Sequence, residues 1–284
     1  MTTNPWINRR VVNFAHQGGS HEGPSSTLWA IGNALRCGAT AIELDVHATK
    51  DRQLVVCHDE TVNRTTNGTG EICDLTLDQL RQLDNAYAFI EGADVTVGRD
   101  EGDYPWRGRA PEDRAFGIAT LDEVLDLVPG VPLNLDIKRT APVVEPYEEL
   151  LASTLAAHGR TDDVIVASFN DLAIRAFRAC SPSTPTSAAT METAQFWRSA
   201  HDGEGGDDLD VVALQVPASQ GDLQVVDEVL IDAAHAQEIA VHVWTVNDPD
   251  EVERLVALGV DGIISDRPTM VTAVLGDHAW DGTP

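Results

Sequence analysis

Apolar and polar residues alternate from Ala41 to Ala48, as they do along a strand whose two faces meet different surroundings. Ile42, Leu44 and Val46 fall on one face; Glu43, Asp45 and His47 fall on the other. Leu54 to His58 is a second short β-rich run, and the polar Thr49–Gln53 between the two has turn character. With Asp51 and Arg52 as the two turn residues of a hairpin, paired positions sum to 103 and His58 lies opposite Asp45.

The same pattern extends along the chain. Val11–Ala15 is an apolar run that ends in His16-Gln-Gly-Gly, followed by a helix from Ser26 to Cys37 that Gly38 closes. Residues 60–117 lose periodicity and are rich in Gly, Asp, Asn and Thr, with one short helix near Leu77–Leu83. This is long for a connection inside a domain, so it is expected to be an insertion after the second main strand. Its aromatics Tyr87, Phe89, Tyr104 and Trp106 either line a substrate site or form the insertion's own small core.

From Leu121 the rhythm is regular. Helices are expected at Leu121–Val128, Tyr147–His158, after Phe169 to Cys180, at Thr193–His201, Val226–Gln237 and Pro249–Leu258, and from Pro268. An acidic, glycine-rich loop spans Asp202–Asp210. Setting the hairpin partner aside, eight main strands begin at Val11, Ala41, Val131, Val164, Thr184, Val211, Ala240 and Gly262. Eight strands alternating with helices over roughly 250 residues predict an α/β fold of the (β/α)8 TIM-barrel type, a single domain over residues 1–284. A doubly wound open sheet is second choice. No GxGxxG follows the first strand, which argues against dinucleotide binding.

Charge narrows the partners. Forty-six acidic against 19 basic residues leave a net charge of −27. Such a surface repels nucleic acid and anionic lipid, and any phosphate site must be locally positive. Lysine occurs only at Lys50 and Lys138. An acidic, lysine-poor chain suits a salty cytoplasm or reflects a GC-rich genome. The four cysteines form no CxxC pair and read as reduced thiols of a cytoplasmic protein. No secretory signal and no membrane span are expected, nor any exposed aromatic or basic membrane-binding segment, so no stable membrane association follows.

Chemistry gathers at strand ends. Glu43 and Asp45 point the same way and repel unless a positive group sits between them, and a hard divalent cation is the usual answer. His16, Asp136, Lys138, Ser168, Gln215 and Trp244 also lie in or at the ends of predicted strands, which is where a barrel places its site. His21 and His47 are expected just outside it.

These residues resemble the glycerophosphodiester phosphodiesterase family over nearly the whole chain. The resemblance is carried by His16-Gln-Gly, Glu43-Leu-Asp45, His58-Asp59, Leu135-Asp-Ile-Lys138, Trp244-Thr-Val and Gly259-Val-Asp-Gly-Ile-Ile-Ser-Asp266. It implies metal-dependent hydrolysis of a small glycerophosphodiester to glycerol 3-phosphate and an alcohol, the glycerol 2-hydroxyl attacking first to give a cyclic phosphate. It implies one cation, Ca²⁺ or Mg²⁺, on Glu43, Asp45 and Asp136. His16 and His58 would be the acid/base pair and Lys138 a phosphate contact. Gln17, Trp244 and Gln215 complete the candidate substrate contacts. Trp244 is either a wall for the glycerol moiety or core packing, and Gln215, like Ser168, is either a contact or a polar residue of the barrel interior. The protein would be a monomer or homodimer.

The chain departs from the family pattern at Gln17, where Arg is usual, at Ser25, where Glu is usual, and at Asp136, where Glu is usual. The first two remove a cation and an anion together, as loss of a mutual ion pair would, with Glu22 a replacement carboxylate. A phosphodiester-binding barrel without turnover, or a related phospholipase-type phosphodiesterase, are the alternative readings.

Overall fold

In a computed structural model, residues 4–7, 10–138, 147–203, 205–206 and 208–280 are described. Positions 204 and 207 of the expected acidic loop, and part of the N-terminal stretch read for a signal, lie outside the described residues.

Seven parallel strands form the barrel wall: β1 Val12–His16, β2 Ala41–Ala48, β4 Leu133–Ile137, β5 Val164–Ala167, β6 Ala213–Pro217, β9 Ala240–Trp244 and β10 Gly262–Ser265. They are hydrogen-bonded in the order β5-β4-β2-β1-β10-β9-β6. The remaining stave, expected at Thr184, is reduced to bridges between Val166 and Thr186 and between Ser187 and Ala213. These close the ring between β5 and β6. Helices α1 Leu28–Arg36, α3 Leu121–Leu127, α4 Tyr147–Ala157, α5 Asp171–Cys180, α6 Thr190–His201, α7 Glu228–Ala236, α8 Pro249–Leu258 and α9 Pro268–Leu275 surround it. Thr27 caps α1, Thr120 and Glu123 make a capping box on α3, and Asp248 caps α8 just before Pro249. Among the described residues no helix is long and apolar enough to cross a membrane.

Strand parity builds the site. Outward residues such as Ile42, Leu44, Leu135 and Val166 pack under the helices in one core, and Leu214, Val241 and Ile263 in a second. Inward residues begin apolar: Phe14, Ala41, Ile165, Ala213 and Ala240 close the floor with Trp6. Gly262 is required there, because a Cβ would come within 2.7 Å of the His242 ring and 2.9 Å of Phe14. One step further along the same faces, the inward positions turn polar: His16, Glu43, Asp45, Asn134, Asp136 and Gln215.

The hairpin partner β3 Leu54–Val56 pairs one residue away from the expected register, with Val46 opposite Val56, His47 opposite Val55 and Ala48 opposite Leu54. The turn holds three residues because Arg52 adopts a left-handed φ of 62° and Thr49 N–H bonds Gln53 O at 2.9 Å. His58 is therefore not opposite Asp45. Cys57 N–H bonds the Asp45 carbonyl at 3.0 Å, and the chain then leaves the ladder.

Between β3 and α3 the chain makes short helical turns, including α2 Leu77–Leu80, and one antiparallel bridge between Thr61 and Glu71. Val55, Val62, Ile72, Leu80 and Ile118 form one small core there, and Ala86, Ala110 and Phe116 with Trp29 and Trp106 form another. A short antiparallel pair, β7 Ser219–Gln220 and β8 Leu223–Gln224, follows β6 and was not anticipated.

Candidate active site

Register sets the acids side by side. His16 aligns with Glu43 and Glu43 with Asn134; one level higher, Asp45 aligns with Asp136. All of these are buried or nearly so. Lys138, just past β4, places its Nζ 2.9 Å from Asp45 Oδ1 and 2.9 Å from Asp136 Oδ2. Burial opposes the lysine's charge, but the two carboxylates hold its pKa well above the ordinary lysine range. One ammonium does not balance three acids. Burial, then the Asp45 charge, pushes the Glu43 carboxyl up to about 8. Burial also raises Asp136 to about 6, with Lys138 pulling it down and Asp45 pushing it up.

The donor set fits a hard divalent cation. Asp45 Oδ2 and Asp136 Oδ1 are buried with no hydrogen-bond partner, a costly condition that a cation relieves. Among the described residues no three His, Cys, Asp or Glu side chains already converge as a metal cluster. Lys138 stands between two of the acids as an ion-pair partner of Asp45 and Asp136.

Two histidines flank these acids. His16 Nδ1 lies 2.6 Å from Asp266 Oδ1, and its Nε2 is 3.7 Å from Glu43 Oε2. Burial pulls the His16 pKa down, but Glu43 and Asp266 outweigh it and raise the value to about 9. Burial would raise Asp266; His16, Ser20 Oγ at 2.5 Å and Asn247 Nδ2 at 2.6 Å hold it well below the usual carboxylate range instead. His58 repeats the motif locally: its Nδ1 is 2.7 Å from Asp59 Oδ1, and Arg64 holds Asp59 through two bonds of 2.7 and 2.8 Å. The two imidazole centroids are 6.1 Å apart, nearly perpendicular at 84°. Each ring sets Nδ1 against a carboxylate, the arrangement that orients a general acid or base.

The rings separate two cavities. The larger, about 590 Å³, is lined by His16, His58, Glu43, Asp45, Asp136 and Lys138, and also by Gln215 and Trp244. The smaller, about 270 Å³, is lined by both histidines with Gln17, Ser25, Asp59 and Arg64. Eight of the nine candidate residues thus share one cavity, and Gln17 lies across the histidines in the other.

A family model described as the glycerophosphoryl diester phosphodiesterase family matches residues 16–270. The chain belongs to that family. It is therefore an enzyme of the phosphodiesterase class. A glycerophosphodiester phosphodiesterase of Caldanaerobacter subterraneus subsp. tengcongensis is 30% identical over 269 residues, 93% of this chain and 98% of the relative. Glycerophosphodiester phosphodiesterase 1 of Homo sapiens is 52% identical over a shorter stretch of 77 residues, 27% of this chain and 23% of that one. Among solved structures, the glycerophosphoryl diester phosphodiesterase domain of a Mycobacterium tuberculosis protein superposes with a TM-score of 0.76 at 21% identity, covering 93% of this chain and 98% of that one. An Oleispira antarctica phosphodiesterase, in complex with the product sn-glycerol-3-phosphate, superposes with a TM-score of 0.68 at 24% identity, covering 92% and 95%.

At Gln17 and Ser25, the two positions read as departures from the family pattern, a neutral contact stands. Ser25 Oγ donates to Gln17 Oε1 at 2.5 Å, and Gln17 Nε2 lies 3.2 Å from His16 Nε2. Glu22 is not the replacement carboxylate: it accepts from Thr269 N–H at 3.1 Å and from the Thr269 hydroxyl at 2.7 Å, at the start of α9. Tyr87, Phe89, Tyr104 and Trp106 line neither cavity. Arg107 stacks on Tyr87 and Tyr104, and Trp106 packs on Trp29 and Phe116, so core is the reading that stands. His21 and His47 also lie outside both cavities.

The sequence reading missed Asp266, Asn247, Ser20 and Arg64. Asp266 and Asp59 closed motifs already noted, but nothing in the sequence paired Asp266 with a histidine 250 residues away.

Proposed function

We propose that this enzyme hydrolyses glycerophosphodiesters to glycerol 3-phosphate and an alcohol, with one divalent cation held by Glu43, Asp45 and Asp136. The observation that carries the reading is the facing pair of carboxylate-anchored imidazoles at the edge of the acid cluster. The cation, Ca²⁺ or Mg²⁺, would supply positive charge against the negative charge that develops on the phosphate.

His16, whose pKa Glu43 and Asp266 raise against burial, is the group that gives a proton to the leaving alkoxide. His58, with Nδ1–H given to Asp59, presents Nε2 as the base that takes the proton of the attacking hydroxyl. Asp266 and Asp59 hold the two rings in complementary orientations. Lys138 ion-pairs with Asp45 and Asp136 and holds them in place. Gln215 and Trp244, on the same wall, are the substrate contacts, and Gln17 meets the substrate from the smaller cavity.

Incubating the purified protein with glycerophosphocholine, with and without EDTA, tests this. Glycerol 3-phosphate release that EDTA abolishes and added Ca²⁺ or Mg²⁺ restores is the expected result. Tight binding with no release, in the presence of either metal, overturns it.

A further inference from the structure

A buried chain of polar side chains runs from the insertion to His16. The Thr65 hydroxyl donates to Asn85 Oδ1 at 2.6 Å, and Asn85 Nδ2 donates to the Ser25 carbonyl at 2.9 Å. Ser25 Oγ carries the chain on to Gln17 Oε1, and Gln17 Nε2 ends it beside His16 Nε2. Thr65, Asn85, Ser25 and Gln17 are each no more than 6% exposed, so each bond counts where water offers no ready substitute. The sense of the Asn85 amide is forced. A carbonyl only accepts, so Nδ2 faces Ser25 and Oδ1 is left for the Thr65 hydroxyl. On the insertion side Asn85 is tied a second time, because its N–H bonds the Phe116 carbonyl at 3.0 Å. Asn85 itself lines neither cavity.

The barrel end of this chain is a strained turn. Gln17 and Ser26 both take left-handed backbones, φ 54° and 58°, where glycine is usual. Ser26 N–H bonds the Gln17 carbonyl at 2.8 Å, so the two strained residues face each other. Such conformations persist only where their surroundings over-determine them. From the β2 side Gln17 is held by its own N–H, which bonds the Glu43 carbonyl at 2.9 Å and Glu43 Oε2 at 3.1 Å. From the other side the hold comes through Ser25, and Ser25 is gripped by Asn85.

Resting on the function proposed above, we infer that Asn85 is a positioning residue: tied into the insertion at Thr65 and Phe116, it fixes the Ser25 peptide and so holds the Gln17 amide beside His16. Thr65 directly follows Arg64, which holds Asp59 against His58. Two adjacent residues of the insertion therefore send one line of contacts to each imidazole. The insertion is part of the frame that keeps the two rings in register, not a cover alone.

A double-mutant cycle on the full chain with its activating cation tests this, with kcat/KM for glycerophosphocholine as the readout. Asn85→Ala lowers kcat/KM about tenfold in the parent, as loss of a residue that orients a reacting group does. In a Ser25→Ala or Gln17→Ala background the same change costs less than about twofold, because the path it acts through is already cut. If Asn85→Ala does not fold, Thr65→Val, which keeps the shape and removes the hydroxyl, carries the cycle with a parent loss of about threefold. Losses that multiply, so that the change costs as much in either background as in the parent, overturn the inference and leave Asn85 serving only the fold of the insertion. An Asn85→Ala enzyme as active as the parent also overturns it. Both results leave the hydrolase reading standing, since the parent still releases glycerol 3-phosphate. A parent that releases none with Ca²⁺ or Mg²⁺ removes both readings together.

Discussion

His16 and His242 point into the same barrel from β1 and β9, His242 fully buried and His16 mostly so, yet their pKa values are shifted in opposite directions. At the floor, His242 lies 4.9 Å from Phe14 and 6.1 Å from Trp6, ring to ring, and neither ring nitrogen has a hydrogen-bond partner among the described residues. Burial alone pushes it down to about 3. At the mouth, burial acts on His16 in the same sense, but Glu43 and Asp266 reverse the outcome to about 9. His47 shows where the balance tips. It has only Asp45 close by among the acids, against burial and the nearby charges of Lys138 and His58, and is pushed down to about 4. Burial makes a histidine neutral by default, and anchored carboxylates turn one into an acid.

The largest expected effect comes from removing the charged member of the pair. His16→Ala should lower kcat by about 10² to 10⁴, measured as glycerol 3-phosphate release from glycerophosphocholine. Near-normal turnover would remove His16 from the reaction and leave its raised pKa a by-product of its neighbours.

Asp266→Asn sharpens the comparison, because it keeps a polar group at Nδ1 and deletes its charge. Turnover should fall about 10- to 100-fold, as for other residues that orient a reacting group. In the metal-free protein the NMR titration midpoint of His16 should move down from about 9. A bound divalent cation offsets part of the Glu43 and Asp45 charge and should move it in the same direction. An unmoved midpoint in Asp266→Asn would assign the shift to Glu43 and Asp45.

His242→Leu tests the floor, through stability rather than rate. The folded value of about 3 lies below the ordinary 6.5, so between those pH values the unfolded chain binds a proton that the native chain does not. Stability then rises with pH across that window and is lost as pH falls, at up to about 1.4 kcal/mol per pH unit. The leucine variant should flatten this part of the curve in urea melts between pH 4 and about 6.5. An unchanged slope would mean that acid destabilises the protein elsewhere.

The alternation of strands and helices was legible because outward strand faces and inward helix stripes are both apolar at fixed periods. The Glu43–Asp45 face was legible for the same reason. The hairpin register was not, because Arg52 takes a backbone conformation that usually calls for glycine. His58 reaches the cavity all the same, since the chain leaves the ladder after Cys57. The stave near Thr186 was read as a full strand, but it pairs through bridges alone. The His16–Asp266 contact depends on β1 pairing with β10, a closure that no local pattern encodes.

The smallest effect is expected at the second dyad. Asp59 is held well below the usual carboxylate range: burial acts to raise it, but His58 and Arg64 prevail. The Arg64 and Asp59 side chains are 39% and 29% exposed, so water and salt screen their pairing. Exposed pairs of this kind are worth at most about 1 kcal/mol. Arg64→Ala should therefore lower kcat by no more than about fivefold, and the difference from the parent should shrink as salt is raised. His58 would keep its Asp59 contact, which does not pass through the arginine. A loss as large as that of His16→Ala, insensitive to salt, would give Arg64 a direct role at the phosphate from its place in the smaller cavity. The two dyads would then differ in kind: one acid tuned by buried carboxylates, and one base tuned by a cation that also grips the substrate.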